Sequence, residues 1–180
     1  NRLHLLKDSK ILEIGTSTGF TPIEISRIIK CPITSIDINE RSLEEARKRA
    51  DGEGYKNIDF IKADVNNLSF DNESFDVVIV GNVFSLMSDK GKALNECMRV
   101  CKKDGFIIAI PMYYLKSPSE ELIKEVSNAI KVNITPLYKP DWINFFSIPD
   151  LEIYWAKDFK FDYIKDSFIK SFVKKIMSRP

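Results

Sequence analysis

Residues Ile11–Phe20 read ILEIGTSTGF, and the interpretation of the whole chain depends on this stretch. A short apolar run predicts a buried strand, and two glycines, Gly15 and Gly19, follow it before a helix is expected. Glycine at such a joint removes the Cβ that would block a ligand or a sharp turn, and the N–H groups of the next helix point into the gap. The stretch therefore predicts a small-molecule site, with a plain strand–turn–helix joint as the alternative.

The composition predicts one globular domain with a sizeable core. The chain has 180 residues, is 44% hydrophobic and has a formal charge of +1, from 27 Lys and Arg against 26 Asp and Glu. Because this charge balance creates no long-range field, nucleic acid is disfavoured as a partner. No apolar run approaches the roughly 18–20 residues that cross a bilayer, so no membrane span is predicted.

The cysteines indicate reduced thiols. Cys31, Cys97 and Cys101 are an odd, sparse set, and none has a metal-type spacing to the single histidine, His4. We therefore expect no disulfide scaffold, no metal site and a cytoplasmic protein. Cys97 and Cys101 are four residues apart, which predicts small buried side chains on one helix face.

Strands and helices alternate beyond the first loop. Thr21, Pro22 and Glu24 form a capping-box pattern, which predicts that the first helix begins at Pro22. Lys102–Gly105 reads KKDG and predicts the end of a later helix. Five alternations predict right-handed crossovers and a Rossmann-like, doubly wound α/β fold, with a mostly parallel sheet and helices on both faces. The predicted strands are Lys10–Ile14, Ile33–Ile38, Asn57–Ala63, Phe75–Val80 and Phe106–Ile110, and the later helices are Glu40–Ala50, capped by Asn39, and one from Ser88 or Asp89 to about Cys101.

The alternation changes after Pro111. Ser117–Glu120 reads SPSE, a second capping-box pattern that predicts a helix to about Lys131. We expect one domain over residues 1–180, with a cofactor-binding core at 10–111 and a substrate-side, sheet-completing segment at 112–180. Within that segment the pattern predicts an antiparallel edge of strands Leu151–Trp155 and Phe159–Tyr163, then an amphipathic helix at Lys165–Met177.

Polar residues stand where the predicted strands end. In an open parallel sheet ligands bind beyond the carboxyl ends of the strands, so these residues are candidates for a binding site. Asp37 lies 22 residues after Gly15, where a carboxylate can accept hydrogen bonds from both hydroxyls of a ribose. The alternatives are a helix-flanking role for Asp37 and a loop-stabilising role for Asp64. The candidates at this edge are Glu13, Gly15–Gly19, Asp37, Asp64, Gly81 and Asn82.

A dinucleotide cofactor fits this loop poorly. The G-x-G-x-x-G pattern, counted from Gly15, would need glycine where the chain has Ser17 and Phe20. A pyrophosphate needs close backbone approach, which Ser17 hinders, and Phe20 would crowd the helix against its strand. A nucleotide-dependent oxidoreductase is therefore the third-ranked function.

The set of motifs resembles class I S-adenosylmethionine-dependent methyltransferases, most closely the small-molecule branch with ubiquinone- and menaquinone-biosynthesis-type enzymes. The resemblance covers roughly residues 10–110 and implies a seven-stranded sheet whose last strand is antiparallel. It implies that the methionine part of the cofactor lies at the first loop, the ribose on Asp37 and the adenine near Asp64 and Val65. Ser17 departs from the family, which usually has glycine there. The motifs are Glu13–Gly19, Asp37, Ala63–Val65, Phe75–Val78 and Lys103–Phe106, and the implied cofactor residues are Glu13, Gly15, Thr16, Ser17, Gly19, Asp37, Ile38, Asp64, Val65 and Gly81.

The resemblance implies methyl transfer from a sulfonium to an unidentified, small-molecule acceptor by in-line displacement. Positioning can supply much of the rate, so no catalytic residue is assigned. Aromatic side chains could line the acceptor site, although ordinary core packing is the alternative for each. The Asn/Asp-Pro-Pro-aromatic signature after the fourth strand is missing, which makes DNA-base methylation less favoured. The second-ranked function is a non-catalytic, methyltransferase-like cofactor-binding or partner subunit. The candidate substrate residues are Asn82, Phe84, Tyr113, Tyr114 and Trp142.

Overall fold

The structure is a computed structural model that describes residues 8–87 and 89–160. His4, Ser88 and the predicted helix at Lys165–Met177 lie outside the described residues. The chain divides into two compact units, Asn1–Ile143 and Asn144–Pro180.

The first unit contains a five-stranded sheet in which every neighbouring pair is parallel. The strand order is β3-β2-β1-β4-β5, so the chain leaves β1 towards one side of the sheet and later returns to its other side. This is the doubly wound α/β arrangement that the alternation predicts, and it places a topological switch point between β1 and β4. The strands are β1 Ile11–Ile14, β2 Ile33–Asp37, β3 Ile58–Lys62, β4 Phe75–Val80 and β5 Cys101–Ala109.

The helices connect these strands and follow them. Asn39 caps α2 by accepting a hydrogen bond from the Ser42 N–H, and Asp89 caps α3 by accepting one from the Lys92 N–H. Both caps match the predicted helix starts. The helices are α1 Phe20–Ile28, α2 Glu40–Gly52, α3 Lys90–Val100, α4 Glu120–Ile130 and α5 Lys139–Phe146, with a single 3-10 turn at Phe84–Leu86.

The two central strands are covered on both faces. All four residues of β1 are buried, as are five of the six residues of β4. This near-continuous burial explains why the sequence shows apolar runs rather than alternation. One apolar cluster contains Ile11 of β1, Ile23 of α1 and Ile79 of β4, together with the thiol of Cys31. The three cysteines are buried free thiols.

The first helix begins two residues earlier than the capping-box pattern predicts. Gly19 is the N-cap, in a left-handed conformation, and no side chain caps the helix. Thr21 and Pro22 therefore lie within the first turn. Proline is tolerated there because the first N–H groups of a helix have no partner within the helix.

The KKDG stretch is part of β5 and does not end α3. The helix ends at Val100, and Cys101 is already extended. The pairing of β4 with β5 is irregular between Phe75 and Val77, opposite this stretch. A Cβ on Gly105 would stand 2.8 Å from the Asp76 carbonyl oxygen, so glycine here permits a close backbone approach and not a helix stop.

The later elements are confirmed only in part. Helix α4 is present, with Ser119 as its cap, two residues after the predicted one. The predicted strand Leu151–Trp155 is wrong, because residues 151–160 have no regular secondary structure. Most of the other predicted strand, Phe159–Tyr163, lies outside the described part of the chain. Residues 8–87 and 89–160 contain five strands, so the count of seven is not confirmed.

Candidate functional site

The glycine loop closes onto the end of the neighbouring strand. The N–H groups of Gly15 and Thr16 both donate to the carbonyl oxygen of Ile36, at 2.8 and 3.1 Å. The N–H of Gly19 donates to the Thr16 carbonyl at 2.9 Å, just before α1 begins. The loop is therefore a compact turn at the carboxyl edge of the sheet.

Three residues of this loop have positive φ angles. Gly15 has φ 81° and Gly19 has φ 79°, and Ser17 between them has φ 49°. A Cβ on Gly15 would stand 2.1 Å from Cγ2 of Val83, and one on Gly19 would stand 2.9 Å from Cβ of Ala46. Both glycines are thus required by conformation and by space. Ser17 adopts, with a side chain, a conformation that glycine adopts without strain.

Asp37 joins the end of β2 to this loop. Its Oδ2 accepts the Ser17 N–H at 2.9 Å, and its Oδ1 accepts the Asn39 N–H at 2.9 Å. A carboxylate has about four acceptor positions, so each oxygen retains one after these bonds. Asp37 is half-buried, which leaves those positions open to a ligand with two hydroxyls.

Glu13 lies beneath the loop in the middle of the sheet. Its side chain is 2% exposed and accepts a hydrogen bond from the Ser35 hydroxyl, across from it on β2. Burial raises the pKa of Glu13 to about 7, and the Asp37 charge acts in the same direction against the Ser35 hydrogen bond.

Thr16 places a buried hydroxyl beside Glu13. The residue is 4% exposed, and its hydroxyl lowers the pKa of Glu13 against the larger effect of burial. Thr16 therefore belongs with Glu13 and Ser35 to a buried polar group beneath the loop.

The residues expected near an adenine differ in exposure. Ile38 follows Asp37 and is 69% exposed, an apolar side chain on the rim. Val65 is buried. Asp64 is exposed, and its Oδ1 accepts the backbone N–H and the side-chain Nδ2 of Asn66, at 2.8 and 3.0 Å. The loop-stabilising role is thus present at Asp64, and both of these bonds use the same carboxylate oxygen.

The two residues that follow β4, Gly81 and Asn82, leave an open space and connect two loops. A Cβ on Gly81 would meet no atom of the described residues within 4 Å. Asn82 Oδ1 accepts the Ser85 hydroxyl at 2.5 Å and the Met112 N–H at 3.2 Å, which ties the loop after β4 to the segment after β5. Gly81 therefore opens onto free volume, while Asn82 holds two loops together.

The aromatic candidates divide into buried and accessible residues. Phe84 is fully buried, and Trp142 is 4% exposed with its indole Nε1 donating to the Met112 carbonyl at 3.0 Å. Their burial favours the core-packing interpretation over a substrate contact. Tyr113 is half-buried and Tyr114 is 37% exposed, so these two remain accessible.

A side-chain clamp not anticipated from the sequence fixes the loop between β3 and β4. The Arg99 guanidinium donates to the carbonyls of Leu68 and Phe70, at 2.9 and 2.7 Å. Glu96 pairs with Arg99 and accepts the Leu68 N–H at 2.8 Å. The only local signal was the i,i+3 spacing of Glu96 and Arg99, which predicts their pairing but not their contacts some 30 residues away.

Two surface depressions lie away from this edge. One, of about 410 Å³, is bordered by Glu73, Asp76 and Gly105 beside the irregular start of β5. The other, of about 300 Å³, lies along α4. Neither includes the glycine loop. No helix within residues 8–87 and 89–160 has the length and apolar character of a membrane span.

Comparisons with known proteins find related sequences. Residues 5–166 match a family model described as a methyltransferase domain. The demethylmenaquinone methyltransferase of Thermotoga maritima is 31% identical over 142 residues, which cover 76% of this chain and 53% of that protein. The UbiE ubiquinone/menaquinone biosynthesis C-methyltransferase of Idiomarina loihiensis is 28% identical, with 71% and 51% covered.

One solved structure has a similar sequence and fold. The MccD protein is 30% identical and superposes with a TM-score of 0.69, covering 79% of this chain and 64% of that chain. The chain spans about half the length of the two quinone methyltransferases it matches.

Proposed function

The chain belongs to the class I S-adenosylmethionine-dependent methyltransferases of the ubiquinone/menaquinone type, and we propose that it transfers the methyl group of S-adenosylmethionine to a small-molecule acceptor. The observation that carries the proposal is the arrangement of the Gly15–Gly19 loop against Asp37. The two glycines keep the loop compact at the carboxyl edge of the sheet, and Asp37, bonded to that loop, retains acceptor positions on both oxygens. The residues present therefore fit a ligand with a ribose.

We propose a role for each residue of the set. We assign the methionine part to the loop, the ribose hydroxyls to Asp37, and the adenine to the exposed face of Ile38 and the second carboxylate oxygen of Asp64. Val65 and Gly81 complete the set, Val65 from beneath the rim and Gly81 by leaving space beside it.

The chemistry of the bound cofactor is that of a sulfonium, whose methyl group is electrophilic. The protein's part is to hold an acceptor atom in line with that methyl and to exclude water, which can supply on the order of 7–11 kcal/mol of the barrier in favourable cases. Tyr113 and Tyr114 are our candidates for acceptor contacts because they are accessible. No general base is assigned.

The acceptor class is proposed from the relatives' names. The matched proteins are named for demethylmenaquinone and for ubiquinone/menaquinone biosynthesis. We propose an aromatic small-molecule acceptor of hydroquinone type. A seven-stranded sheet and a cytoplasmic location are further proposals for the whole protein.

Calorimetric titration with S-adenosylmethionine and with S-adenosylhomocysteine tests the cofactor assignment. Asp37→Asn should weaken binding of both ligands by about 10- to 100-fold, because a charge-assisted hydrogen bond contributes about 1.5–3 kcal/mol. Asp59→Asn, which removes an exposed carboxylate from the neighbouring strand β3, should leave binding unchanged. Absence of binding by the folded wild-type protein would refute the proposal.

Methyl transfer distinguishes the enzyme from a non-catalytic subunit. The protein is incubated with S-adenosylmethionine labelled in its methyl group and a panel of hydroquinones, and the label is followed into the organic phase. Transfer that disappears in Asp37→Asn supports the enzyme. Tight cofactor binding with no transfer to any panel member would favour the non-catalytic alternative.

A further inference from the structure

Glu13 is a buried acid whose partner is uncharged. It is 2% exposed, and its carboxyl accepts a hydrogen bond from the neutral hydroxyl of Ser35. The Thr16 hydroxyl faces the same carboxyl and, like the Ser35 hydroxyl, lowers its pKa against the larger effect of burial. Buried carboxylates are usually paired with a cation, so this arrangement calls for an explanation.

The surroundings add no positive charge. The charged group that acts on Glu13 is Asp37, which is negative, as an ionised Glu13 would be. The apolar cluster on this face of the sheet includes two titratable groups, Cys31 and Tyr55. A thiol and a phenol never carry a positive charge, and burial raises the pKa of the Cys31 thiol. Within the described part of the chain, no cation compensates an ionised Glu13.

We propose that Glu13 is a positioning residue that couples the site to the charge of its ligand, ionising when a cationic sulfonium binds and staying protonated beside the uncharged thioether product. The inference rests on the proposed function. Glu13 lies two residues before Gly15 and beneath the loop to which we assign the methionine part. It is too buried to touch the ligand, so it acts through its charge.

The direction in which the ligand shifts the pKa of Glu13 follows from elementary electrostatics. A cation stabilises the carboxylate over the carboxylic acid, so binding lowers the pKa of Glu13 below its value of about 7 and a proton passes from the carboxyl to solvent. The interaction is weakly screened because the carboxyl is buried. A decrease of one pKa unit in the complex corresponds to a tenfold gain in affinity for the cation once Glu13 is ionised.

The experiment is a titration of the intact chain with S-adenosylmethionine and S-adenosylhomocysteine at several pH values from 6 to 8. For a decrease of one pKa unit, we expect the affinity for the sulfonium, relative to that for the thioether, to rise by about fivefold over this range in the wild type. In Glu13→Gln, which retains an oxygen for the Ser35 hydroxyl but cannot ionise, the ratio should stay constant. Each ligand's own amino group titrates equally with both proteins, so their difference isolates Glu13.

A second measurement does not depend on that variant folding. Titrations of the wild type near pH 7 in buffers of different ionisation enthalpy count the protons released on binding. Release with the sulfonium should exceed release with the thioether. Ser35→Ala removes the hydrogen bond that lowers the pKa of Glu13, so it should move the pH dependence to higher pH.

The outcomes are distinguishable. An affinity ratio that does not change with pH, or an unchanged pH dependence in Glu13→Gln, overturns the role of Glu13 while leaving the proposed function intact. Absence of binding by either ligand overturns the proposed function itself.

Discussion

Replacing Ser17 by glycine should stabilise the protein. Ser17 has φ 49°, and a residue with a Cβ in the left-handed region costs about 1–2 kcal/mol. Glycine removes that cost but gains freedom in the unfolded chain of roughly 0.5–1 kcal/mol. The Ser17 N–H bond to Asp37 is a backbone contact and survives the change. The net expectation is an increase of about 0.5–1 kcal/mol in the free energy of unfolding.

Urea denaturation and calorimetry measure this change. For a chain of this size, about 1 kcal/mol corresponds to a rise in Tm of roughly 2–4 °C. Ser17→Ala keeps the Cβ and should change the free energy of unfolding by less than about 0.5 kcal/mol, because the side chain is exposed. Cofactor affinity of Ser17→Gly should equal or exceed that of the wild type.

Gly54→Ala provides the matched control. Gly54 has φ 80°, and a Cβ there would meet no described atom within 4 Å, so the substitution introduces conformational strain without a clash. It should lower the free energy of unfolding by about as much as Ser17→Gly raises it. If both substitutions destabilise the protein, the Ser17 side chain makes a stabilising contact and the strain argument fails.

Further predictions concern the loop, the buried acid and the clamp. Gly15→Ala should lower the free energy of unfolding by about 2–4 kcal/mol, since it adds strain and a 2.1 Å contact with Val83. Adding Val83→Ala to this variant should restore part of the loss. If urea denaturation shows that the effects of the two substitutions simply add, the predicted clash is contradicted. Because the pKa of Glu13 rises from 4.5 to about 7 on folding, the native state binds more protons, and this group's contribution to stability falls as pH rises from about 4.5 to 7, by about 3 kcal/mol at most. Glu13→Gln should flatten that part of the profile of Tm against pH, and a parallel profile would contradict the assignment. Arg99→Gln should accelerate hydrogen exchange at the Leu68 amide, whose acceptor Glu96 loses its partner, while amides of β1 exchange as before; an unchanged Leu68 would show that the loop is held by other contacts.

The central strands were predictable because they are buried on both faces. Phe75–Val80 has the predicted bounds, and the Asn39 cap is also where the sequence places it. These features depend on a few neighbouring residues, whose apolar run or side-chain oxygen is sufficient to specify them.

The predicted start of α1 was wrong for an identifiable reason. The Thr21–Glu24 pattern satisfies a capping box, but the left-handed turn at Gly19, packed against Ala46 of α2, starts the helix earlier. The prediction that the KKDG stretch ends a helix was wrong because pairing with β4 determines the conformation of this stretch. In both places a contact between residues far apart in sequence overrides the local signal.

At the site, the sequence indicated the positions but not their hydrogen bonds. It predicted Asp37 as a ligand residue but not its bonds to Ser17 and Asn39. Glu13 was a candidate, whereas its neighbour Ser35 was not, since only the β1–β2 register brings them together. Phe84 and Trp142 have aromatic side chains suited to a substrate site, and burial, which the sequence does not display, separates them from Tyr114.

The empty space beside Gly81 offers a way to measure how closely a ligand approaches the end of β4. Because an added methyl would meet no described atom within 4 Å, the series Gly81→Ala, Gly81→Val and Gly81→Leu lengthens the side chain in steps, starting from one without steric conflict in the unliganded protein. Ligand affinity should fall at the first substitution whose side chain reaches the ligand, while Tm stays unchanged. The length of that side chain gives the distance between the ligand and the end of β4. The same series could create a version of the protein selective for cofactor analogues trimmed to match the larger side chain.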